Sequence, residues 1–344
     1  MACGDDGAMS NRQVVIASLP KGAISVTDFE LREGLMPEPG EGEVRCRTIA
    51  ITMGAGQRAG LQGSASYAGA PVAGVVMGGP GVAEVEVSND PSLRPGDRVL
   101  APTGWQEHSV HAARSVQRIE GDDDPALHLG VLGTNGLTAY FGLLDVGRPN
   151  AGETVVVSAA SGSVGHLVGQ IARIQGCRTV GIAGSDEKCA MLTDRLRFDA
   201  AVNHRDPDFR GAFKSAVQGA GGGIDVYFDN TGGDILGAAL RAMRPHGRIV
   251  CCGVVSQYDT SEPAPGPRGI PGLLVNNRVR MEGFLVFDYA PRYAEARDAL
   301  RRWIASGELQ PLVDEVVGLE RAPDAFVDLL AGGNIGTRVV RVGA

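Results

Sequence analysis

The chain has 344 residues, of which 43% are hydrophobic and 21% charged, and its formal net charge is −8. This composition is typical of a globular protein with room for two domains. The negative charge argues against a nucleic-acid partner, and no apolar run reaches the roughly 20 residues that a membrane span needs.

The N-terminal residues 1–12 are polar and acidic and lack the apolar segment of a signal peptide, so we predict a disordered N-terminus. The six cysteines contain no Cys-x-x-Cys pair and no spacing typical of zinc ligands. We therefore expect reduced thiols, no metal site and a cytoplasmic protein.

The next part of the chain is rich in short apolar runs separated by glycine and proline. Candidate strands lie at 14–17, 43–49, 71–76 and 98–100. A similar pattern returns near the C-terminus, with a strand at 313–319, a helix at 322–330 and a strand at 337–342. These features predict a discontinuous β-rich domain of residues 13–129 plus 307–344.

Residues 130–306 instead alternate between strands and helices. The predicted strands are 153–158, 178–183, 199–203, 224–229, 247–252 and 280–286, and the predicted helices are 163–175, 186–195, 208–219, 233–243 and 291–306. Six strands with intervening helices predict an α/β Rossmann domain, a doubly wound parallel sheet inserted into the β-rich domain.

The first of these strands ends in a turn of small residues that is typical of dinucleotide-binding sites. The candidate pyrophosphate-binding residues are Ser161, Gly162, Ser163, Val164 and Gly165. Gly162 leaves the backbone N–H groups accessible, and Gly165 lets the helix approach the sheet. Ala160 stands where the first glycine of G-x-G-x-x-G is expected, so the motif is degenerate.

Five segments in order carry a resemblance to a known family. They are 132–140 (LGTNGLTAY), 159–165 (AASGSVG), 184–188 (GSDEK), 228–233 (FDNTGG) and 252–258 (CGVVSQY). The chain resembles the zinc-independent medium-chain dehydrogenase/reductases, in the branch of leukotriene B4 dehydrogenase/prostaglandin reductase and plant double-bond reductases. The resemblance implies a GroES-like first domain, a homodimer and NADPH-dependent reduction of enones and enals.

The residues after the second Rossmann strand favour NADP(H). Gly184 stands at the strand end, where NAD sites place a carboxylate, and Ser185 and Lys188 follow it. His204 and Arg205, after the third strand, add positive charge for a 2′-phosphate. The alternative is that Lys188 is solvated and that Asp186 caps the helix or binds the ribose hydroxyl.

The resemblance implies that Tyr258 is the catalytic residue, whose phenol stabilises the enolate formed when hydride reaches the β-carbon. The alternative is that this tyrosine anchors a mobile loop. By motif position, the residues expected near the nicotinamide half of the cofactor are Thr138, Asn230, Gly253, Phe284, Leu285, Val286 and Asn334.

One segment departs from the family pattern. The branch usually carries Asp-Pro-Tyr-Met-Arg in its substrate pocket, whereas residues 52–58 read TMGAGQR, with Met53, Gly54 and Ala55 as candidate pocket residues beside Tyr258. Small residues here predict a roomier pocket for a small-molecule substrate, with a biosynthetic intermediate as one option. The chain is thus expected to reduce an activated C=C bond, the alternatives being a quinone or carbonyl reductase and a non-catalytic NADPH sensor.

Overall fold

The structure is a computed structural model that describes residues 10–64, 69–262 and 265–343. The described chain forms two units. The first comprises the residues up to Leu129, Glu315–Ala331 and the segment from Arg338 onward, and the second comprises Gly130–Asp314 and Gly332–Thr337. The return to the first unit therefore occurs at Glu315 rather than at the predicted residue 307, and residues 332–337 belong to the second unit.

The first unit is built mainly of antiparallel strands. A two-stranded sheet pairs β1 with β2, and a larger sheet has the order β14-β15-β3-β4-β5-β7, with β6 paired to β3. The strands are β1 (Ser10–Ile16), β2 (Phe29–Leu35), β3 (Glu43–Met53), β4 (Gly81–Ser88), β5 (Arg98–Ala101), β6 (His108–Ala112), β7 (Gln117–Arg118), β14 (Val313–Val317) and β15 (Thr337–Arg341). The helices are α1 (Ala55–Gln62), α2 (Pro125–Leu129) and α10 (Ala322–Leu330).

Two predictions for this unit were wrong. Residues 10–12 do not belong to a disordered terminus, because they begin β1 and pair with β2; residues 1–9, to which that prediction also applied, lie outside the described part. The predicted strand at 71–76 is absent, and only Val76 forms an isolated bridge, with Val15. Its glycine and proline residues interrupt the ladder that its valines favour.

The second unit contains a six-stranded parallel sheet of order β10-β9-β8-β11-β12-β13. Its strands are β8 (Thr154–Val157), β9 (Arg178–Ala183), β10 (Ala200–Asn203), β11 (Ile224–Asp229), β12 (Met243–Cys251) and β13 (Arg280–Gly283). Its helices are α3 (Thr134–Phe141), α4 (Gly165–Ile174), α5 (Asp186–Ala190), α6 (Phe209–Gly219), α7 (Gly233–Ala242), α8 (Ile270–Asn277) and α9 (Tyr293–Ala305). This strand order is that of the Rossmann fold, so the predicted fold class is confirmed.

The hydrophobic core of the sheet explains why these runs become central strands. Val155, Val156 and Val157 of β8 are fully buried, and so are Leu167 and Ile171 on the inner face of α4. A strand buried on both faces reads as a continuous apolar run. No helix in the described part of the chain is long and apolar enough to cross a membrane.

Candidate functional site

The residues singled out in the second unit follow the carboxyl ends of the parallel strands. All strands of this sheet run in the same direction, so the segments that follow them meet at one edge. In open α/β sheets this edge is where ligands bind.

The turn after β8 is shaped by glycines that differ in their surroundings. A Cβ at Gly165 would lie 2.2 Å from Ala159 O, so only glycine fits where α4 meets the sheet. A Cβ at Gly162 would meet only Ala159 O, at 3.3 Å, so this residue presents bare backbone. The close packing at Gly165 agrees with the role that the sequence predicts for it, and the approach of a ligand at Gly162 stays a prediction.

A second turn, residues 332–337, lies against the turn after β8 and is hydrogen-bonded to it. Gly336 N donates to Ser161 O at 2.8 Å, and Ser163 Oγ donates to Gly336 O at 3.2 Å. The side-chain amide of Asn334 donates to Gly336 O at 2.8 Å. Asn334 therefore supports the backbone of this turn locally, while the bonds of Gly336 to Ser161 and Ser163 link residues far apart in sequence.

Basic side chains gather beyond the ends of β9 and β10. Ser185 Oγ accepts from Lys188 N at 3.3 Å and caps α5, so the cap is Ser185 and not Asp186. Lys188 Nζ donates to Asn334 O at 2.8 Å and to Gly332 O. The alternative of a purely solvated lysine is thus wrong, because the ammonium is held beside the second turn.

His204 and Arg205 lie next to Gly184. A Cβ at Gly184 would stand 3.5 Å from His204 Nε2 and 3.7 Å from Arg205 Nε. Burial, and then the charge of Arg205, lower the pKa of His204 below its ordinary value. The carboxylate of Asp186 accepts from Asn203 Nδ2 at 2.9 Å. The guanidinium of Arg205 therefore places a positive charge beside Gly184, with the imidazole of His204 next to it.

The end of β11 holds a buried carboxylate that the sequence reasoning missed. Asp229 Oδ1 accepts from Tyr227 Oη at 3.0 Å, from Gly232 N at 2.9 Å and from Thr231 N at 3.1 Å. Burial raises the pKa of Asp229. An aspartate directly after the buried run Val226–Phe228 is the signal that could have identified it, because a buried charge needs several donors.

Asn230 faces inward from the same strand end. Its Nδ2 donates to Ser158 O at 2.7 Å, and its backbone N donates to Ser158 Oγ at 2.9 Å. These bonds tie the end of β11 to the end of β8 and fix where the turn after β8 begins.

Tyr258 follows a short helical turn, Val255–Gln257, beyond β12. Its hydroxyl accepts a hydrogen bond from Val254 N at 3.3 Å and lies 3.7 Å from where a Cβ at Gly253 would stand. The same Cβ would lie 3.2 Å from Asn230 O. The structure thus brings Tyr258, Gly253 and Asn230 together.

The remaining residues expected near the nicotinamide differ in exposure. The Phe284 ring packs where a Cβ at Gly142 would lie, and Val286 is buried in a cluster with Leu137 and Phe141. Leu285 is exposed, and Thr138 lies half-buried in α3. Val286 can therefore offer a ligand its backbone rather than its side chain.

The candidate pocket residues of the first unit lie where β3 meets α1. The Met53 side chain packs in the hydrophobic core with Trp105 and Phe326, so it faces inward. Gly54 N donates to Gln57 Oε1 at 2.8 Å at the start of α1, whose first residue is Ala55. A Cβ at Gly54 would meet nothing within 4 Å, which leaves open space beside this residue.

Among the described residues, no group of three or more His, Cys, Asp or Glu side chains is arranged to hold a metal ion.

Two family models match the chain. The model described as the N-terminal domain of oxidoreductase matches residues 12–119, and the one described as zinc-binding dehydrogenase matches residues 163–303. Together they cover most of both predicted domains.

Relatives match over nearly the full length. The NADPH-dependent curcumin reductase of Escherichia coli K12 is 39% identical over 338 residues, which is 96% of this chain and 97% of the relative. The NADP⁺-dependent 2-alkenal reductase of Nicotiana tabacum is 38% identical and covers 97% of this chain and 98% of its own. A crystal structure of CurA with NADPH from Vibrio vulnificus superposes with a TM-score of 0.92 at 38% identity, covering 97% of this chain and 99% of that chain.

Proposed function

Since the chain belongs to the zinc-independent medium-chain dehydrogenase/reductase family, we propose that it reduces the activated C=C bond of an enone or enal with NADPH. The observation that carries the proposal is the phenol of Tyr258 beside Gly253, at the sheet edge that also holds the glycine turn. A hydrogen-bond donor at that place can stabilise charge that develops on a substrate carbonyl oxygen.

The residues present fit NADP(H) at both of its phosphate positions. The backbone after β8 is bare at Gly162, where a Cβ would meet only Ala159 O, and the first N–H groups of α4 follow it. His204 and Arg205 lie beside Gly184, and Lys188 Nζ lies beside the second turn, so cationic and donor groups suited to a 2′-phosphate follow β9 and β10. We propose Ser161–Gly165 for the pyrophosphate and Gly184, Ser185, Lys188, His204 and Arg205 for the 2′-phosphate.

NADPH supplies the hydride that is added to the electrophilic β-carbon. Tyr258 donates its phenolic hydrogen to the carbonyl oxygen of the substrate, so negative charge forms against a fixed donor rather than against water. The α-carbon then receives a proton from Tyr258 or from water. Asn230 and Gly253, which lie beside the phenol, are proposed to shape the surface against which the reacting groups stack.

Gly54 and Ala55 are proposed to line the substrate pocket. The small residues at 54–56, where the branch carries bulkier ones, support an acceptor bulkier than a simple enal. Met53 is proposed to support these residues from the core rather than to touch the substrate.

We further propose a cytoplasmic homodimer. The thiols of Cys46 and Cys177 are buried and free, as expected in a reducing compartment. Strand β13 lies at the edge of the parallel sheet, where Glu282 and Gly283 are exposed, and an uncovered edge is a natural place for a second copy to pair. Light scattering on the eluting protein would show twice the chain mass, and a monomer at micromolar concentration would contradict the dimer.

The test of the activity is a reaction between a simple enone and NADPH that carries deuterium at both C4 positions, followed by NMR of the product. Deuterium on the β-carbon of an intact saturated ketone is the expected result. Deuterium on a carbinol carbon would instead identify a carbonyl reductase. NADPH binding without oxidation across enones, enals and quinones would identify a sensor.

A further inference from the structure

Helix α4 carries polar side chains on a face that the proposed chemistry does not use. His166 and Gln170 are 1% and 2% exposed, and Arg173 lies near the end of the helix. Their spacing of four and three residues places them on one side of the helix. All three reach the same segment, residues 308–312, which connects α9 to β14.

The contacts follow one another along α4 and, in the opposite direction, along residues 308–312. Leu312 N donates to His166 Nε2 at 3.1 Å, and Gln310 N donates to Gln170 Oε1 at 2.8 Å. Gln170 Nε2 donates to Gln310 O at 3.0 Å, and an Arg173 guanidinium nitrogen donates to Glu308 O at 2.6 Å. From His166 to Gln170 the helix advances about 6 Å, and from Leu312 to Gln310 an extended segment advances about 6.6 Å. The spacing of the side chains on α4 therefore matches the spacing of their partners.

His166 differs from the other two side chains because it also reaches the glycine turn. Its Nδ1 lies 2.8 Å from Gly162 O, while its Nε2 accepts from Leu312 N. A carbonyl only accepts and an amide only donates, so both bonds form only with a neutral ring that is protonated on Nδ1. Burial lowers the pKa of His166 to about 4, in agreement with a neutral ring.

Further hydrogen bonds connect Leu312 back to the turn after β8 by way of the second turn, residues 332–337. Thr337 N donates to Leu312 O at 2.9 Å, Gly336 N donates to Ser161 O at 2.8 Å, and Ser163 Oγ donates to Gly336 O at 3.2 Å. A closed ring of hydrogen bonds therefore runs from the glycine turn through His166 and Leu312 to residues 336–337 and back.

We propose that His166 is a positioning residue that aims the backbone N–H groups of the turn at the cofactor pyrophosphate. The peptide between Gly162 and Ser163 is planar, so its carbonyl and N–H point in opposite directions. Holding Gly162 O inward, against His166 Nδ1 and His166 N, turns Ser163 N–H outward. The backbone bond from His166 N, at 3.2 Å, remains in any variant, so the side chain contributes the shorter Nδ1 bond at 2.8 Å. With the backbone bond alone a glycine peptide rotates more readily, and an outward carbonyl would repel a phosphate.

The inference rests on the proposed NADPH binding and is tested with ligand fragments, without an enone. By calorimetry, 2′-phospho-ADP-ribose reports on the pyrophosphate, and adenosine 2′-monophosphate, which lacks a pyrophosphate, reports on the 2′-phosphate end. His166→Leu is expected to weaken 2′-phospho-ADP-ribose about tenfold and to leave adenosine 2′-monophosphate within about twofold. Lys188→Ala is expected to weaken both fragments, because each contains the 2′-phosphate.

Two further variants separate positioning from stability. His166→Gln offers a donor and an acceptor on one amide, as Gln170 does one turn later, and is expected to restore affinity to within about threefold of wild type. Gln170→Leu removes the matched bonds farther from the turn, and is expected to lower Tm while leaving the ratio of the two fragment affinities unchanged. If His166→Leu does not fold, His166→Asn, which is too short to span both partners, takes its place.

Equal losses of both fragments in His166→Leu, the same change of ratio in Gln170→Leu, or no rescue in His166→Gln would overturn the positioning role and leave the proposed function intact. Failure of the wild-type protein to bind either fragment would overturn NADPH binding itself, and this inference with it.

Discussion

The two segments that form the candidate site in the second unit are held in different ways. The turn after β8 is bonded to residues far away in sequence, with Gly336 N donating to Ser161 O and His166 connecting Gly162 to Leu312. Residues 253–258, which we call the Tyr258 loop, are bonded to the segment that directly follows the neighbouring strand β11, with Val255 N donating to Asn230 O and Ser256 N to Thr231 O.

Burial separates these segments as well. Ser161 is 6% exposed, whereas Val255 in the Tyr258 loop is 37% exposed. A pyrophosphate needs N–H groups that are fixed in advance, since any freedom there costs affinity. A phenol that meets a substrate can adjust as the substrate binds. Changes at the turn should therefore alter cofactor affinity, and changes in the Tyr258 loop should alter kcat.

The largest expected effect is at the Tyr258 loop. Tyr258→Phe removes the proposed donor to the carbonyl oxygen, and kcat for an enone should fall by roughly 100–1000-fold, about 2.7–4 kcal/mol. Steady-state kinetics should show an unchanged KM for NADPH. Tyr140→Phe, which removes a surface bond to Glu295, is the matched control and should leave kcat unchanged. Full kcat in Tyr258→Phe would assign the tyrosine to loop anchoring.

The next effect is at the 2′-phosphate end. Lys188→Ala removes an ammonium that is already held beside Asn334 and should weaken NADPH binding by about 1.5–3 kcal/mol, roughly 10–150-fold. NADH has no 2′-phosphate and should bind equally well to both proteins. An equal loss of NADH affinity would show that Lys188 supports the second turn instead of binding the 2′-phosphate.

A pH effect on stability is expected at the glycine turn. The unfolded chain protonates His166 near its ordinary pKa of 6.5, and the folded chain only near 4, so the unfolded state holds more protons between these values. Stability is therefore retained above pH 6.5 and is lost as the pH falls toward 4. From pH 7 to 5 the free energy of unfolding should drop by about 2 kcal/mol from this group. Urea unfolding of wild type and His166→Gln at several pH values measures this contribution, because the variant lacks the histidine. Identical dependence of stability on pH in the two proteins would contradict its assignment to His166.

The smallest effect is expected in the first unit, outside both segments. Gly54→Tyr adds a ring into open space and should lower kcat/KM for bulky enones by about 1 kcal/mol, roughly fivefold, while small enals keep theirs. Gly78→Tyr, at another glycine whose Cβ would meet nothing, is the control. An unchanged substrate profile in Gly54→Tyr would remove Gly54 from the pocket.

Strand β12 begins four residues earlier than predicted, and β13 ends three residues earlier. The sequence predicted the other four parallel strands closely, since β9 and β11 have the expected bounds and β8 and β10 differ by one residue at one or both ends. Each is an apolar run that ends at polar or small residues, which is a local signal. Helix α1 was not predicted, because Gly54, Gly56 and Gly60 oppose a helix in isolation and packing decides its formation.

The parts of the site that the sequence did not reveal are long-range contacts. Nothing local connects His166 with Leu312 or Ser161 with Gly336, since these pairs lie far apart in the chain. Asp229 was missed for a related reason, since its importance lies in the donors that surround it once the strand is buried.

The most direct test of the central claim is the reduction of an enone by unlabelled NADPH in D₂O. The proposed function predicts one deuterium on the α-carbon of the saturated product, protium on the β-carbon and an intact carbonyl, with one NADPH consumed per product. An alcohol with no deuterium on carbon, or no NADPH consumption, would contradict it.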